Sequence, residues 1–393
     1  MSKTKEKNVT LICPSFRFSK IEYFKPPFYV MKYLKEIYGV NATIVFDETL
    51  NEFFFKGDKK INEYEHDGIE LVDLSSDGNL NKRGTLLAYK DYIRKNAKEI
   101  DLLLVFHANR YEVKLGNLYK KINPKGKIMT ILNYSTYKLK VSTFQKLKTL
   151  ARIVLYHIDY KRFTRNCDKF SVETEDSLEY LKHNKWNGVN ISKKVELLPF
   201  GYDKKDFGYS DNEKIEKENI FLTVGRIGVA QKNSELILDV LKKVDLKEWK
   251  FIFVGPIEPS FKQKIKEFNV ECPEKRRSVI FTGSVIDRRV LAEYYKRASA
   301  FVLSSKNESF GLVLVEALLF QNFILSTPVG VARDLEKQGV CDLFDDSENL
   351  LVELQMIVDG KIDLNQELAK KVATKYDYQN LISNFKFFND VLK

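Results

Sequence analysis

At 393 residues the chain exceeds what one hydrophobic core usually fills, and roughly 100–200 residues per domain suggests two domains. Its 44% hydrophobic and 30% charged residues are a globular composition, which excludes a disordered or fibrous chain. The net charge is +11, and nine basic residues crowd between Lys138 and Lys169 against only Asp159 and Asp168.

In chain order, apolar strand-like runs alternate with helical stretches, the pattern of α/β units with parallel sheets. The opening MSKTKEKNVTLIC has no apolar core of signal-peptide length. Strands are predicted at 9–13, 42–46, 69–74, 101–106, 127–132 and 169–173, with helices such as 28–39 and 86–100 between them. The stretch 142–160 reads as a helix in which Phe144, Leu147, Leu150, Ala151 and Val154 alternate with Lys146, Lys148 and Arg152. Two readings stand for it and its basic surroundings: a solvated or core-packed amphipathic helix, or an interfacial helix on acidic lipid. A join rich in charge, Gly and Asp occupies 199–218. The pattern then restarts with strands at 219–225, 250–255, 279–283, 300–305 and 323–327 and helices at 234–244, 289–298 and 311–320. The tail 375–393 has helical spacing of Leu381, Phe385, Phe388 and Leu392. No apolar run approaches 18 residues, so nothing is expected to span a membrane. Cys13, Cys167, Cys272 and Cys341 lie far apart, without CxxC or Cys/His clustering, which argues against zinc or a disulfide scaffold and fits a reducing cytosol.

Two constellations carry chemistry. In SSKNESFGLVLVEA (304–317) Glu308 and Glu316 are separated by seven residues, and Ser309 is the predicted N-cap of a helix starting near Phe310. Free amides at such a start suit an anion, and Gly311 admits close approach of a ligand. If the segment is mostly helical, the two glutamates stand roughly 12 Å apart. One can then face a sugar while the other accepts from ribose hydroxyls. The bland alternative is a buried helix with one edge and one loop glutamate. In TVGRIGVAQKNSELIL (223–238), Arg226 and Lys232 follow a strand and a glycine turn, where they can neutralise a diphosphate and the charge it gains on leaving. Taken singly, each is an ordinary surface cation.

Together GRIGVAQKN (225–233), FVGP (253–256), FTGSV (281–285) and SSKNESFGLVLVEAL (304–318) resemble the retaining glycosyltransferases of family 4, which share the GT-B fold. The likeness is clear over about 195–345 and weaker before it. It implies two Rossmann-like domains facing across a cleft: an acceptor-binding domain at 1–200, joined by a C-terminal helix at 375–393 that crosses back, and a nucleotide-sugar-binding domain at 201–374. By resemblance Arg226 and Lys232 bind the donor diphosphate and stabilise its departure, and Glu308 faces the donor sugar and reacting centre. Phe310, Gly311 and Leu312 present backbone amides, Glu316 binds the ribose, and Val285 meets the base.

The chain also departs from the family. The loop after the first strand, CPSFRFSKIEYFKPPF (13–28), lacks the family's glycines. Its Arg17 and Lys20 either meet an acidic acceptor or are exposed loop charges. The family's histidine after the strand 127–132 is replaced by Asn133, and His107, ending 101–106, is the alternative catalytic candidate. The implied activity is metal-independent, cofactor-free transfer from a nucleotide sugar, a UDP-sugar before GDP or ADP. The acceptor is a hydroxyl of a glycan, glycolipid, lipid-linked saccharide or protein, in bacterial surface glycan or glycoconjugate assembly. The expected setting is cytoplasmic, at the inner face of the membrane, with 138–169 against acidic lipid. Alternatives are a catalytically silent GT-B partner of another transferase, and a nucleic-acid binder. The first expects loss of the basic pair or a glutamate, and the second lacks any binding module, so no nucleic-acid partner is expected.

Overall fold

A computed structural model of the chain describes residues 6–14, 26–47, 65–74, 82–134 and 150–393. The chain divides into two compact units, Met1–Pro199 with Tyr378–Lys393, and Phe200–Asp377.

The first unit is built on an eight-stranded sheet: β1 (Asn8–Ile12), β2 (Asn41–Phe46), β3 (Glu65–His66), β4 (Ile69–Asp73), β5 (Leu102–Phe106), β6 (Lys127–Leu132), β7 (Lys169–Val172) and β8 (Val195–Leu197). Their order is β3-β4-β2-β1-β5-β6-β7-β8. All neighbours are parallel except β3 and β4. The LLLVF of β5 is buried throughout, as a central parallel strand covered on both faces must be. The helices Arg110–Ile122 and Leu150–Asn166 contribute Tyr119, Tyr160 and Phe163 to this core. Trp186 takes the edges of Tyr160 and Phe170 there, at 5.4 and 6.2 Å between centroids.

The chain returns to this unit at its end. Tyr378 stacks on Tyr29 (4.9 Å) and Tyr33 (6.0 Å) of the helix Pro26–Tyr38, and the Tyr38 hydroxyl donates to the Ile382 carbonyl. The tail is not the single helix its periodicity predicts. It is two helices, Tyr378–Asn384 and Lys386–Leu392, because Phe385 between them is extended (ψ 109°). Phe385, Phe388 and Leu392 are nonetheless buried, so the apolar spacing is met with a broken backbone.

The second unit has a six-stranded, all-parallel sheet: β9 (Glu218–Val224), β10 (Lys250–Val254), β11 (Val279–Gly283), β12 (Ala298–Leu303), β13 (Phe323–Ser326) and β14 (Cys341–Leu343). The order is β11-β10-β9-β12-β13-β14. Phe221, Phe251 and Phe253 form an aromatic run across its core, with centroid distances of 6.1 and 4.8 Å. Strand order reverses between β9 and β12, and ligands of open parallel sheets bind beyond the carboxyl ends at such a reversal. The sequence predicts β12 at 300–305. It runs two residues earlier, and Ser304 and Ser305 fall in the loop beyond the sheet. Among the described residues no helix is long and apolar enough to cross a membrane.

Candidate active site

The loops after β9 and β12 bring the basic and acidic candidates together. The first, Gly225 to Asn233, leads into the helix Ser234–Lys243; the second, Ser304 to Gly311, leads into the helix Leu312–Leu319. Two hydrogen bonds zip them: the Lys306 backbone amide donates to the Gln231 carbonyl (2.8 Å), and the Gln231 side-chain amide donates to the Asn307 carbonyl (2.9 Å). Ser304 Oγ adds a bond to the Lys232 carbonyl (2.9 Å). The first loop also passes very close to the one after β10. A Cβ at Gly255 would stand 1.8 Å from the Gly225 carbonyl oxygen, and its φ of 142° disfavours any side chain.

Within this frame Lys232 Nζ lies 2.6 Å from Glu308 Oε1, and Ser305 Oγ donates to the same oxygen at 2.7 Å. Both charged side chains keep a little surface, 19% and 12%. Arg226 is exposed on the same loop and makes no ion pair or hydrogen bond among the described residues. The arrangement is a carboxylate oriented by one cation and one hydroxyl, with a second cation nearby in sequence that is open to an anion.

The helix that follows starts later than the sequence predicts. Its N-cap is Gly311, in a left-handed conformation (φ 90°, ψ 60°), and Leu312 is the first helical residue; Ser309 does not cap it. A residue without Cβ takes this conformation cheaply, so the turn forms where the glycine is. Half the path from Glu308 to Glu316 is therefore loop, and the separation expected for a continuous helix does not apply. The amides of Phe310, Gly311 and Leu312 make no hydrogen bond among the described residues, whereas the Phe310 carbonyl accepts from Val331 N (2.8 Å). The Phe310 ring is buried against Phe200 and Tyr376.

Glu316 does not join Lys232 and Glu308. It sits on a helix whose Leu314, Val315, Ala317, Leu318 and Leu319 are all buried, where an unpaired charge costs several kcal/mol. Two partners that the sequence reading missed offset this cost. Arg288 Nη1 donates to Oε1 and the Tyr295 hydroxyl to Oε2, each at 3.0 Å. Burial and the neighbouring Glu316 hold the Tyr295 hydroxyl well above the usual phenol range, so it stays a donor. Arg288 was legible only as a basic residue following Asp287, which caps the helix Arg288–Arg297. Val285 lies half-buried between β11 and that helix.

In the first unit, His107 follows β5 in a left-handed conformation (φ 69°) fixed by its amide's bond to the Ile131 carbonyl (2.9 Å). Its ring stacks on Tyr134 at 5.3 Å and 13°. Asn133 Oδ1 is buried without a partner among the described residues. Buried Glu112 and Glu173, neither singled out by sequence, lie near enough to join burial in pushing the Tyr134 hydroxyl well up. Arg17 and Lys20 lie outside the described residues, as do Phe144, Leu147 and the basic residues from Lys138 to Lys148.

The fold matches GT-B glycosyltransferase structures. Residues 206–361, most of the second unit, match the family described as glycosyl transferases group 1. Among curated relatives, the amylovoran biosynthesis glycosyltransferase AmsD of Erwinia amylovora is 27% identical over 210 residues, 53% of this chain and 54% of the relative. The matches span between 38% and 54% of the length of the curated relatives. Among solved structures, a glycosyltransferase from Rickettsia africae superposes with a TM-score of 0.72 at 16% identity, covering 99% of this chain and 100% of that one. Anabaena Alr3699/HepE, solved in complex with UDP, gives 0.67 at 13% identity, covering 98% and 99%.

Proposed function

We propose that the chain is a retaining, metal-independent glycosyltransferase of family 4 that moves a sugar from a UDP-sugar to an acceptor hydroxyl. The observation that carries this reading is the Lys232–Glu308 contact beyond the β9/β12 reversal, with Arg226 open on the same loop. The donor diphosphate lies at the start of the helix Leu312–Leu319, where the unengaged amides of Phe310, Gly311 and Leu312 and the positive end of the helix dipole favour it. Arg226 and Lys232 neutralise it. Glu308, steadied by Ser305, faces the sugar through its other oxygen.

In the reaction the bond from the sugar C1 to the diphosphate oxygen breaks and a bond from C1 to the acceptor oxygen forms. The hydroxyl proton leaves with the nucleoside diphosphate. The two cations stabilise the charge that develops on the leaving diphosphate, which is the task a metal ion performs in other transferases. No cofactor enters this scheme. Glu316 accepts from the ribose, and Val285 lines the base end.

The first unit takes the acceptor, with His107, Asn133, Arg17 and Lys20 as its candidates. UDP-bound Alr3699/HepE and the amylovoran relative support a UDP-sugar and surface polysaccharide assembly as the setting. An anionic, membrane-held acceptor fits the helix Leu150–Asn166. Val154, Leu155 and Ile158 are 50, 65 and 49% exposed on one face, and exposed Lys161, Arg162 and Arg165 continue it. Of the residues first assigned to that face Val154 lies on it, and the side chains of Phe144, Leu147, Leu150 and Ala151 lie outside those described. The chain then works at the cytoplasmic surface of a membrane.

The test is release of UDP from labelled UDP-sugars, alone and with candidate acceptors. Wild type is expected to release UDP slowly without acceptor, and Glu308→Ala and Arg226→Ala to abolish release. Undiminished activity in both variants would overturn the assignment. For the membrane contact, equal sedimentation with phosphatidylglycerol and phosphatidylcholine vesicles at low salt would sink it.

A further inference from the structure

Glu316 has more acceptor capacity than the protein fills. An ionised carboxylate offers about four lone-pair positions, and Arg288 and Tyr295 occupy one on each oxygen. The side chain keeps 10% of its surface exposed. Both partners come from the helix Arg288–Arg297, seven residues apart and so on one face of it.

That face is itself fixed from behind. The Arg288 guanidinium lies 4.1 Å from the centroid of the Phe207 ring. Phe207 stands edge-on to Tyr295 and to Phe320, and Tyr295 and Phe320 stack at 5.7 Å with an interplanar angle of 1°. Helix stability does not explain the arginine. A cation in the first turn opposes the helix dipole, which favours acids at that end. Its attachment to Glu316 and Phe207 compensates.

We infer that Arg288 is a positioning residue of the donor site. With Tyr295 it locks the Glu316 carboxylate in the one orientation whose unfilled lone pairs meet the paired hydroxyls of a ribose. The ligand class selected at this end is a ribonucleotide over its 2′-deoxy counterpart. This rests on the donor-site reading above and adds the residue that gives the site its ribose preference.

The experiment is titration of wild type, Arg288→Gln, Arg288→Lys and Tyr295→Phe with UDP and 2′-deoxy-UDP, followed by calorimetry, alongside donor steady-state kinetics. Wild type is expected to prefer UDP by at least about tenfold, the worth of one hydrogen bond to a charged group. In Arg288→Gln the preference falls to within about twofold, and the donor KM rises while kcat stays nearly constant, as for loss of an interaction made equally in ground and transition states. Arg288→Lys and Tyr295→Phe fall between. A merely structural arginine would lower the melting temperature without moving the UDP to 2′-deoxy-UDP ratio. An unchanged ratio in Arg288→Gln overturns the inference and leaves the donor site standing. If that variant does not fold, unchanged ratios in Arg288→Lys and Tyr295→Phe overturn it equally. A wild type that binds none of UDP, GDP or ADP overturns the donor-site reading, and this inference with it.

Discussion

The two units solve one topological problem with different chemistry. Each is a sheet of parallel strands, save for the edge strand β3 of the first, and its order reverses between β1 and β5 in the first and between β9 and β12 in the second. At the second reversal the loops beyond the strand ends carry Lys232 and Glu308, joined by charge, and an exposed Arg226. At the first, β5 and β6 end in His107 and Tyr134, ring upon ring, with buried Glu112 and Glu173 nearby. Topology therefore says where a ligand sits, and the side chains say which ligand. A charged loop suits a diphosphate, and an aromatic stack with buried acids suits the hydroxyl-rich part of a partner.

The sharpest way to break this comparison is Lys232→Ala. Removing a cation that stabilises a leaving diphosphate is expected to lower kcat by about 10²–10³, measured as UDP release under saturating donor. An effect under tenfold would mean that the second unit's charges are not catalytic. Next comes Gly255→Ala, which puts a Cβ against the Gly225 carbonyl and should destabilise the second unit by about 3 kcal/mol or more. Denaturant unfolding followed by tryptophan fluorescence checks it, since Trp249 reports the second unit and Trp186 the first.

A smaller effect concerns Lys217, whose ammonium donates to the carbonyls of Tyr295, Ala298 and Phe320. Burial pulls this lysine down to about 7, against roughly 10.4 in an unfolded chain. The unfolded chain therefore binds more protons between those values, so stability is lowest below pH 7 and rises towards pH 10. The three carbonyls, at helix ends that favour a cation, oppose the burial effect and leave a gain of about 1–3 kcal/mol. Lys217→Met should flatten that slope in urea titrations at pH 7 and 9.5; an unchanged slope assigns it to other groups.

The smallest expected effect is in the first unit. His107→Ala should raise the acceptor KM about five- to tenfold while leaving acceptor-free UDP release unchanged. Equal loss of both activities would erase the division of labour between the units.

Much of this architecture was legible in the linear pattern. Runs such as NIFLTVG, KFIFVG and DLLLVF are apolar, β-branched or aromatic, and end in glycine or a polar residue, so they read as buried parallel strands. The short strands β3, β8 and β14, two or three residues each, were missed, because so few residues show no period. The basic pair and the two glutamates, two constellations in the sequence, are expected by resemblance to meet on one nucleotide sugar. Lys232 and Glu308 do meet, but Glu316 answers to Arg288 and Tyr295 instead.

By itself the sequence determined the alternation of strands and helices, because burial on two faces demands continuous apolar runs at fixed intervals. It also determined that Arg226, Lys232 and Glu308 stand in loops beyond strands and Glu316 within the following helix, since glycines and polar residues mark the ends of strands. Only the tertiary structure decided which charges pair. A salt bridge joins groups 28 or 76 residues apart, and nothing in local spacing records which strand lies beside which. It decided as well that the helix after Glu308 begins at Gly311, where the backbone takes a left-handed turn and the helix packs into the core, rather than at Ser309.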